Sequence, residues 1–338
     1  MPDHAAGPRP VIAVMMGDPA GIGPEVVIKA LSSGAPQAYA DYFMVGSAAM
    51  AERVAQLIAS PLKVRAIGHP GEARGNAGTL AVLDPDPAAL RGLPFGQPNA
   101  QAGRAVRHWM DICERLVSEG AVQGWVMAPI DRTSLKMGTG LAESGEAVLE
   151  DVPLLRISGS LRIVPLSEHI PLREVAATVT PERVSAMIGL VHDTLAGWGV
   201  EAPRIALAGL NPHARGQEET AVLAPAVAQA RARGIDASGP VSPDAVFRQC
   251  LDGRYDIVIS MYHDQGQIAL KTAAFEGACS VHLGLPYVHV TVPHGSAFDI
   301  AGRGIADARS MSAALLAAGQ LASGRYAMRP STTEHSRS

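Results

Sequence analysis

The sequence predicts an α/β fold, a mainly parallel sheet whose strands are joined by crossover helices. Three observations predict it. Short β-branched apolar runs recur along the chain, segments with apolar residues at three- and four-residue spacing lie between them, and glycine and proline gather directly after the runs. Strands that alternate with helices favour parallel pairing, because a connection between parallel strands has to cross over the sheet. At roughly 150 residues per domain, a chain of 338 residues is expected to form about two domains.

The first run, residues 11–16 (VIAVMM), leads into the turn GDPAGIGPE and then a helix from about Pro24. Proline suits a first helical turn, where its missing N–H costs nothing. That helix N-terminus can hold an anionic group, and a plain strand-to-helix turn is equally consistent. Further strands are expected at residues 42–45, 124–127, 161–166, 204–210, 256–261 and 288–292. Residues 104–117 and 220–233 carry helical periodicity, and residues 310–321 read as a final helix. From Arg325 onward the chain is polar and aperiodic, which reads as a disordered tail.

Composition narrows the function. Charges are sparse and balanced, 28 basic against 32 acidic residues, and no run of five like charges occurs, so nucleic acid is not an expected partner. Cys113, Cys250 and Cys279 are far apart, which supports neither a disulfide framework nor a cysteine zinc site. The opening MPDHAAGPRP lacks a cationic stretch followed by an apolar one, and no apolar stretch reaches about 18 residues. A cytoplasmic protein with no membrane partner is expected.

The 35 glycines and 25 prolines concentrate after the strands, in GDPAGIGPE, GLNPHARG, HDQG and PHGSAFDIAGRG. In open parallel sheets ligands bind beyond the carboxyl ends of strands, so the punctuation marks the expected site. Three histidines share that position: His169 after LRIVPLSE, His213 after RIALAGLNP and His263 after DIVISMY. One such histidine alone is more often a turn cap, but three in equivalent places can converge on a divalent ion and leave positions open for substrate. Asp264 follows His263, and Lys271 lies seven residues further on. A lysine near a cation has its pKa lowered and can exchange protons, although a solvated surface lysine is the plainer reading. In the segment from His294 to Ile300 the backbone at Gly295 allows close approach, and Asp299 is a carboxylate of the kind that accepts a ribose diol and disfavours a 2′-phosphate.

Taken in order, MMGDPAGIGPEVVIKAL, LNPHA, MYHDQG, LGLP and HGSAFDIAGRGIAD resemble the 4-hydroxythreonine-4-phosphate dehydrogenase family of vitamin B6 biosynthesis, from about residue 11 to 322. The resemblance implies two α/β/α lobes similar to the isocitrate and isopropylmalate dehydrogenases, with the active site in the interlobe cleft. It places residues 1–130 with 285–325 in one lobe and 131–284 in the other, with 326–338 as the tail. It also implies a homodimer, NAD or NADP, and a divalent metal, with Zn²⁺ suited to its ligands His169, His213 and His263, the third coming from the partner subunit. Lys271 matches a substrate-contacting lysine, and the nucleotide is expected against His294, Gly295, Ser296, Ala297, Asp299 and Ile300.

Several positions depart from the family pattern. A His-Thr pair is replaced within GLAESGEA (residues 140–147), an asparagine by Ser280 and an arginine by His289. Loss of that planar donor removes a group suited to phosphate. The departures, with LRIVPLSEH and HDQGQIALK, resemble the terephthalate cis-dihydrodiol dehydrogenase branch. The function expected is therefore oxidative decarboxylation of 1,2-dihydroxy-3,5-cyclohexadiene-1,4-dicarboxylate to protocatechuate in aromatic catabolism. Lys271 and Asp264 would move protons, and Ser144, Ser280, His289 and Lys271 would meet substrate. The alternatives are 4-hydroxythreonine-4-phosphate dehydrogenase or a related phosphorylated sugar-acid dehydrogenase, and, from another class, a non-catalytic metal- or nucleotide-binding protein.

Overall fold

Strands and helices alternate through a computed structural model that describes residues 9–75, 78–88, 90–140, 152–273 and 277–326. In chain order these are β1 (Val11–Met15), α1 (Gly23–Ser32), β2 (Asp41–Val45), α2 (Ala48–Leu57), β3 (Lys63–Ile67), β4 (Thr79–Leu83), α3 (Ala100–Ser118), β5 (Gly124–Met127) and α4 (Arg132–Thr139). There follow β6 (Leu154–Ser158), β7 (Leu161–Pro165), α5 (Leu172–Thr178), α6 (Pro181–Gly197), β8 (Ile205–Ala208), α7 (Ala224–Ala232), β9 (Ala237–Val241), α8 (Val246–Leu251), β10 (Ile257–Ser260), α9 (His263–Ala273) and β11 (Cys279–His282). The last elements are β12 (Val288–Thr291) and α10 (Arg309–Ala322).

The chain divides into two compact units, Met1–Asp151 with Leu285–Ser323, and Val152–Gly284 with Gly324–Ser338. In the first unit the strand order is β3-β4-β2-β1-β5-β12, and all pairings are parallel. All five residues of β1 are buried, as a central strand covered on both faces requires. Helix ends follow local chemistry. Asn99 caps α3 by accepting from the Gln101 and Ala102 amides, Asp131 caps α4 by accepting from Ser134 N, and Gly140 ends α4 in the left-handed conformation at φ +75°.

In the second unit the order is β11-β6-β7-β10-β8-β9, with β6 antiparallel to both neighbours and the other pairings parallel. Its core joins Leu161 and Ile163 of β7 to Ala206 and Ala208 of β8, Val258 of β10 and Leu270 of α9. The α/β fold with mainly parallel strands is as the sequence predicts. Tyr326, within the expected tail, has a fixed partner. Arg162 Nε donates to the Tyr326 hydroxyl at 2.9 Å, which holds that residue to the second unit, and residues 327–338 lie outside the described residues. The helix expected over 220–233 is also subdivided, a wider π turn at Glu219–Leu223 preceding α7. Among the described residues no helix is long and apolar enough to cross a membrane.

Candidate active site

In-register parallel pairing brings two of the three predicted histidines together. β7 and β10 run side by side with Ser260 opposite Pro165, so the residues just beyond leave the sheet at the same end. Leu166 N donates to Ser260 O at 2.7 Å and Ser167 Oγ to Met261 O at 2.9 Å, which ties the two exits together. His169 and His263 follow, with ring centroids 5.2 Å apart. Glu168 completes the group, in which one ligand atom from each of Glu168, His169 and His263 lies within 4.8 Å of the others.

Two nitrogens and a carboxylate oxygen form a donor set that fits a divalent transition ion. Asp264 Oδ1 stands 2.6 Å from His263 Nδ1, which leaves Nε2 available as the ligand nitrogen. A carboxylate behind an imidazole is the usual support for a metal-binding histidine. Asp264 thus acts on the histidine ring. Lys271 is exposed, eight residues after His263 on the same helix, so its backbone is displaced by about 12 Å along the axis.

His213 does not belong to this group. After β8 the chain bends through two successive left-handed residues, His213 at φ +58° and Ala214 at +51°. Such conformations cost of order 1–3 kcal/mol each and persist only where the surroundings impose them. Here Glu219, buried, accepts from Asn211 N at 2.8 Å and Asn211 Nδ2 at 2.9 Å. Burial pushes the Glu219 carboxyl up, but these donors, with the Glu219 and Leu210 backbone, outweigh it and hold the group below the ordinary range. On the other side Gln265 Nε2 donates to Gly209 O at 2.9 Å while Gln265 Oε1 accepts from Met261 N at 2.8 Å. Within one chain, then, His169 and His263 lie together beside Glu168, and His213 stands apart from them.

In the first unit the GDPAGIGPE turn packs against the HGSAFD segment. Ile22 N donates to Ser296 O at 3.0 Å, and a Cβ on Gly21 would come within 2.6 Å of Ser296 Cβ, so only glycine fits there. The α1 N-terminus, with Gly23, Pro24 and Glu25, is buried by this packing, which corrects the expectation that it could hold an anion. Ser296 is buried too, its Cβ and carbonyl oxygen lying against Gly21. Asp299 and Gly295 are exposed, and a Cβ on Gly295 would meet no atom within 4 Å. An open backbone beside a free carboxylate fits a ribose diol. Burial, ahead of the Asp131 charge, raises the Asp18 carboxyl, whose Oδ2 has no hydrogen-bond partner.

Two further expectations change. His289 is fully buried in β12, opposite Trp125 of β5, and the rings stack at 4.0 Å with planes 12° apart, so it belongs to the core and does not face a ligand. Ser280 is buried in β11 opposite Arg156. Ser144 and most of GLAESGEA lie outside the described residues. Sequence reasoning missed Glu168 and Arg156. The signal was an acid directly before His169 and a lone arginine inside the apolar run LLRIS, since a charge in a buried strand needs a partner.

The sequence profile of the family described as Pyridoxal phosphate biosynthetic protein PdxA matches residues 38–318. The chain belongs to the PdxA family. A Novosphingobium aromaticivorans protein provisionally named a 4-hydroxythreonine-4-phosphate dehydrogenase is 41% identical, with 94% of this chain and 96% of that protein covered. The D-threonate 4-phosphate dehydrogenase of Cupriavidus necator is 36% identical over 94% of this chain and 98% of its own. Among solved structures, the 4-hydroxythreonine-4-phosphate dehydrogenase of Klebsiella pneumoniae superposes with a TM-score of 0.82 at 37% identity, covering 93% of this chain and 98% of that one.

Against these PdxA-family relatives, the terephthalate 1,2-cis-dihydrodiol dehydrogenase of Burkholderia xenovorans is more distant, at 27% identity and a TM-score of 0.65 with 90% and 96% covered. This ordering overturns the expected decarboxylation of a dihydrodiol and a place in aromatic catabolism. It also overturns the inference that the substrate lacks a phosphate, since the nearer relatives are named for 4-phosphorylated substrates. The departures at Ser280 and His289 that led there concern buried strand residues, whose identities answer to packing.

Proposed function

We propose that the chain is an NAD(P)-linked dehydrogenase that oxidises a secondary alcohol of a four-carbon acid carrying a 4-phosphate, of the 4-hydroxythreonine-4-phosphate or D-threonate 4-phosphate kind. The observation that carries it is the PdxA-family match over residues 38–318, with relatives of both names covered almost end to end. His169, His213 and His263 would hold a divalent ion, with one of the three supplied across a dimer as the resemblance implies; the closeness of His169 and His263 supports this. When bound, such an ion supplies Lewis-acid polarisation of the alcohol oxygen. Asp264 fixes the His263 ring, and the bonds from Ser167 and Gln265 fix the strand exits that carry the site.

Lys271 leans back toward the start of α9, as helical side chains do. With about 12 Å of helix between its backbone and that of His263, it suits the far, anionic end of the substrate better than the reacting hydroxyl. Asp299 would accept the ribose diol and favour NAD over NADP. A homodimer, as the resemblance implies, is the assembly in which we expect the site to be complete.

The test is a steady-state assay of 4-hydroxythreonine 4-phosphate and D-threonate 4-phosphate with NAD⁺ and NADP⁺. Reduced nucleotide from one or both is expected, with NAD⁺ preferred and none formed from the dephosphorylated acids. Turnover of neither phosphorylated acid would overturn the reading.

A further inference from the structure

Lys29 of α1 uses all three protons of its ammonium group around a single stretch of chain. Nζ donates to Glu25 Oε1 at 2.8 Å, to Gly304 O at 3.0 Å and to Ala306 O at 2.8 Å. Glu25, only 2% exposed, accepts from Ala306 N at 2.7 Å through the same oxygen. A glutamate buried one helical turn before a lysine needs that partner, so an ion pair that serves only the fold is the plain reading. Its position goes further. The clamped residues follow soon after the exposed Asp299, and the other end of the stretch is fixed where Ser296 O accepts from Ile22 N. Between these two points Phe95, with the Arg53 guanidinium 4.1 Å from its ring centre, fills the space beside Gly302, where a Cβ would come within 2.5 Å of Phe95 Cδ2.

Inside this frame Ala297 stands in the left-handed region, at φ +41°. Alanine disfavours that region because its Cβ crowds the backbone, and it relaxes unless its surroundings forbid it. The turn it begins continues through Ile300 N on Ala297 O at 3.1 Å and Arg303 N on Ile300 O at 3.2 Å, with Asp299 exposed on the way. We infer that Lys29, with Glu25, is a positioning residue for the nucleotide, which holds residues 296–306 in this left-handed turn before NAD⁺ arrives. Binding then does not have to order the segment, and order installed beforehand is read as affinity. The inference rests on the reading of His294–Ile300 as the nucleotide segment.

Calorimetric titration of the full chain with NAD⁺ tests this without turnover. The double variant Glu25→Gln with Lys29→Met leaves no buried charge unpaired and is expected to bind NAD⁺ about 10-fold more weakly, the factor by which a released alanine prefers other conformations to the left-handed one. Adding Ala297→Gly, which removes that preference, is expected to recover several-fold of the loss, and the same change in the wild-type frame to alter affinity little. A general weakening of the protein would not be repaired at residue 297. Wild-type affinity in the double variant, or a loss that Ala297→Gly does not repair, would overturn the role of Lys29. Unchanged NAD⁺ affinity in Asp299→Ala, or no binding by the wild-type chain, would instead overturn the nucleotide reading on which it rests. If the double variant does not fold, hydrogen exchange of the unaltered protein without nucleotide decides. The Ile300, Arg303 and Ala306 amides are expected to be protected already, and unprotected amides there count against the proposal.

Discussion

Replacing Glu219 by glutamine tests whether the left-handed turn at His213 is imposed by its surroundings. The buried carboxylate accepts from Asn211 N at 2.8 Å and Asn211 Nδ2 at 2.9 Å. Hydrogen bonds to a charged group contribute about 1.5–3 kcal/mol each. Glutamine keeps one acceptor but turns an NH₂ toward one of the two Asn211 donors, so one bond is lost and a donor is left facing a donor, a cost of about 3 kcal/mol. That is comparable to the strain of order 1–3 kcal/mol held at each of His213 and Ala214, so the turn should relax as well as the protein weaken. Urea unfolding at pH 7, followed by circular dichroism, measures the difference. The sign of its pH dependence is fixed by the lowered Glu219 pKa. A carboxyl with a depressed folded-state pKa contributes fully above the unfolded value, about 4.3, and its contribution is lost as pH falls through the folded value. The gap between wild type and Glu219→Gln should therefore narrow progressively below about pH 4. A gap under about 0.5 kcal/mol at pH 7, or one that is constant down to pH 3, would refute the reasoning.

Three further outcomes are expected. Gly103→Ala should cost about 3 kcal/mol by thermal or urea unfolding, because its Cβ would lie 1.8 Å from Ser134 O and 2.4 Å from Ser134 C, forcing α3 and α4 apart. Asp256→Asn should cost about 2 kcal/mol in the same assay, since the carboxylate receives Arg204 N and Nε at 2.9 Å and Nη2 at 2.7 Å, and Arg204 remains partly solvated. His289→Arg should lower stability by about 3 kcal/mol or more by placing a charge against Trp125 in the core. A stable His289→Arg variant that binds phosphorylated substrate more tightly would show instead that the position opens to ligand.

The strands that announced themselves in the sequence are those buried on both faces. Residues 11–16 (VIAVMM) and 124–127 (GWVM) show no polar alternation, 288–292 (VHVTV) is rich in β-branched residues, and β1, β5 and β12 form within them. Those that did not are compromised by position. β3 (KVRAI) is an edge strand and half solvated, so charges break its pattern, while β9 (ASGPV), also an edge strand, tolerates a glycine and a proline that an inner strand would exclude. β6 and β11 hide Arg156 and Ser280 in their interiors, and such strands read as polar until the partner is known. The paired histidines were legible because strand ends in a parallel sheet face one way. The separation of His213 was not, because it depends on Glu219, Gln265 and two left-handed residues whose contacts are long-range.

The pairing of β12 with β5 has a consequence for synthesis. During translation β5 emerges near residue 127 beside β1, and its second sheet partner follows only at residue 288, after the whole of Val152–Gly284 has been made. Residues 152–284 of the second unit are thus free to fold while the first still carries an open strand edge, and Gly21 precedes the Ser296 that packs on it by nearly the whole length of the chain. An open edge of apolar strand is the state in which chains aggregate. Truncation or stalling before the last stretch of chain should accordingly leave a protein with a formed histidine pair, no His294–Ile300 segment and a strong tendency to precipitate.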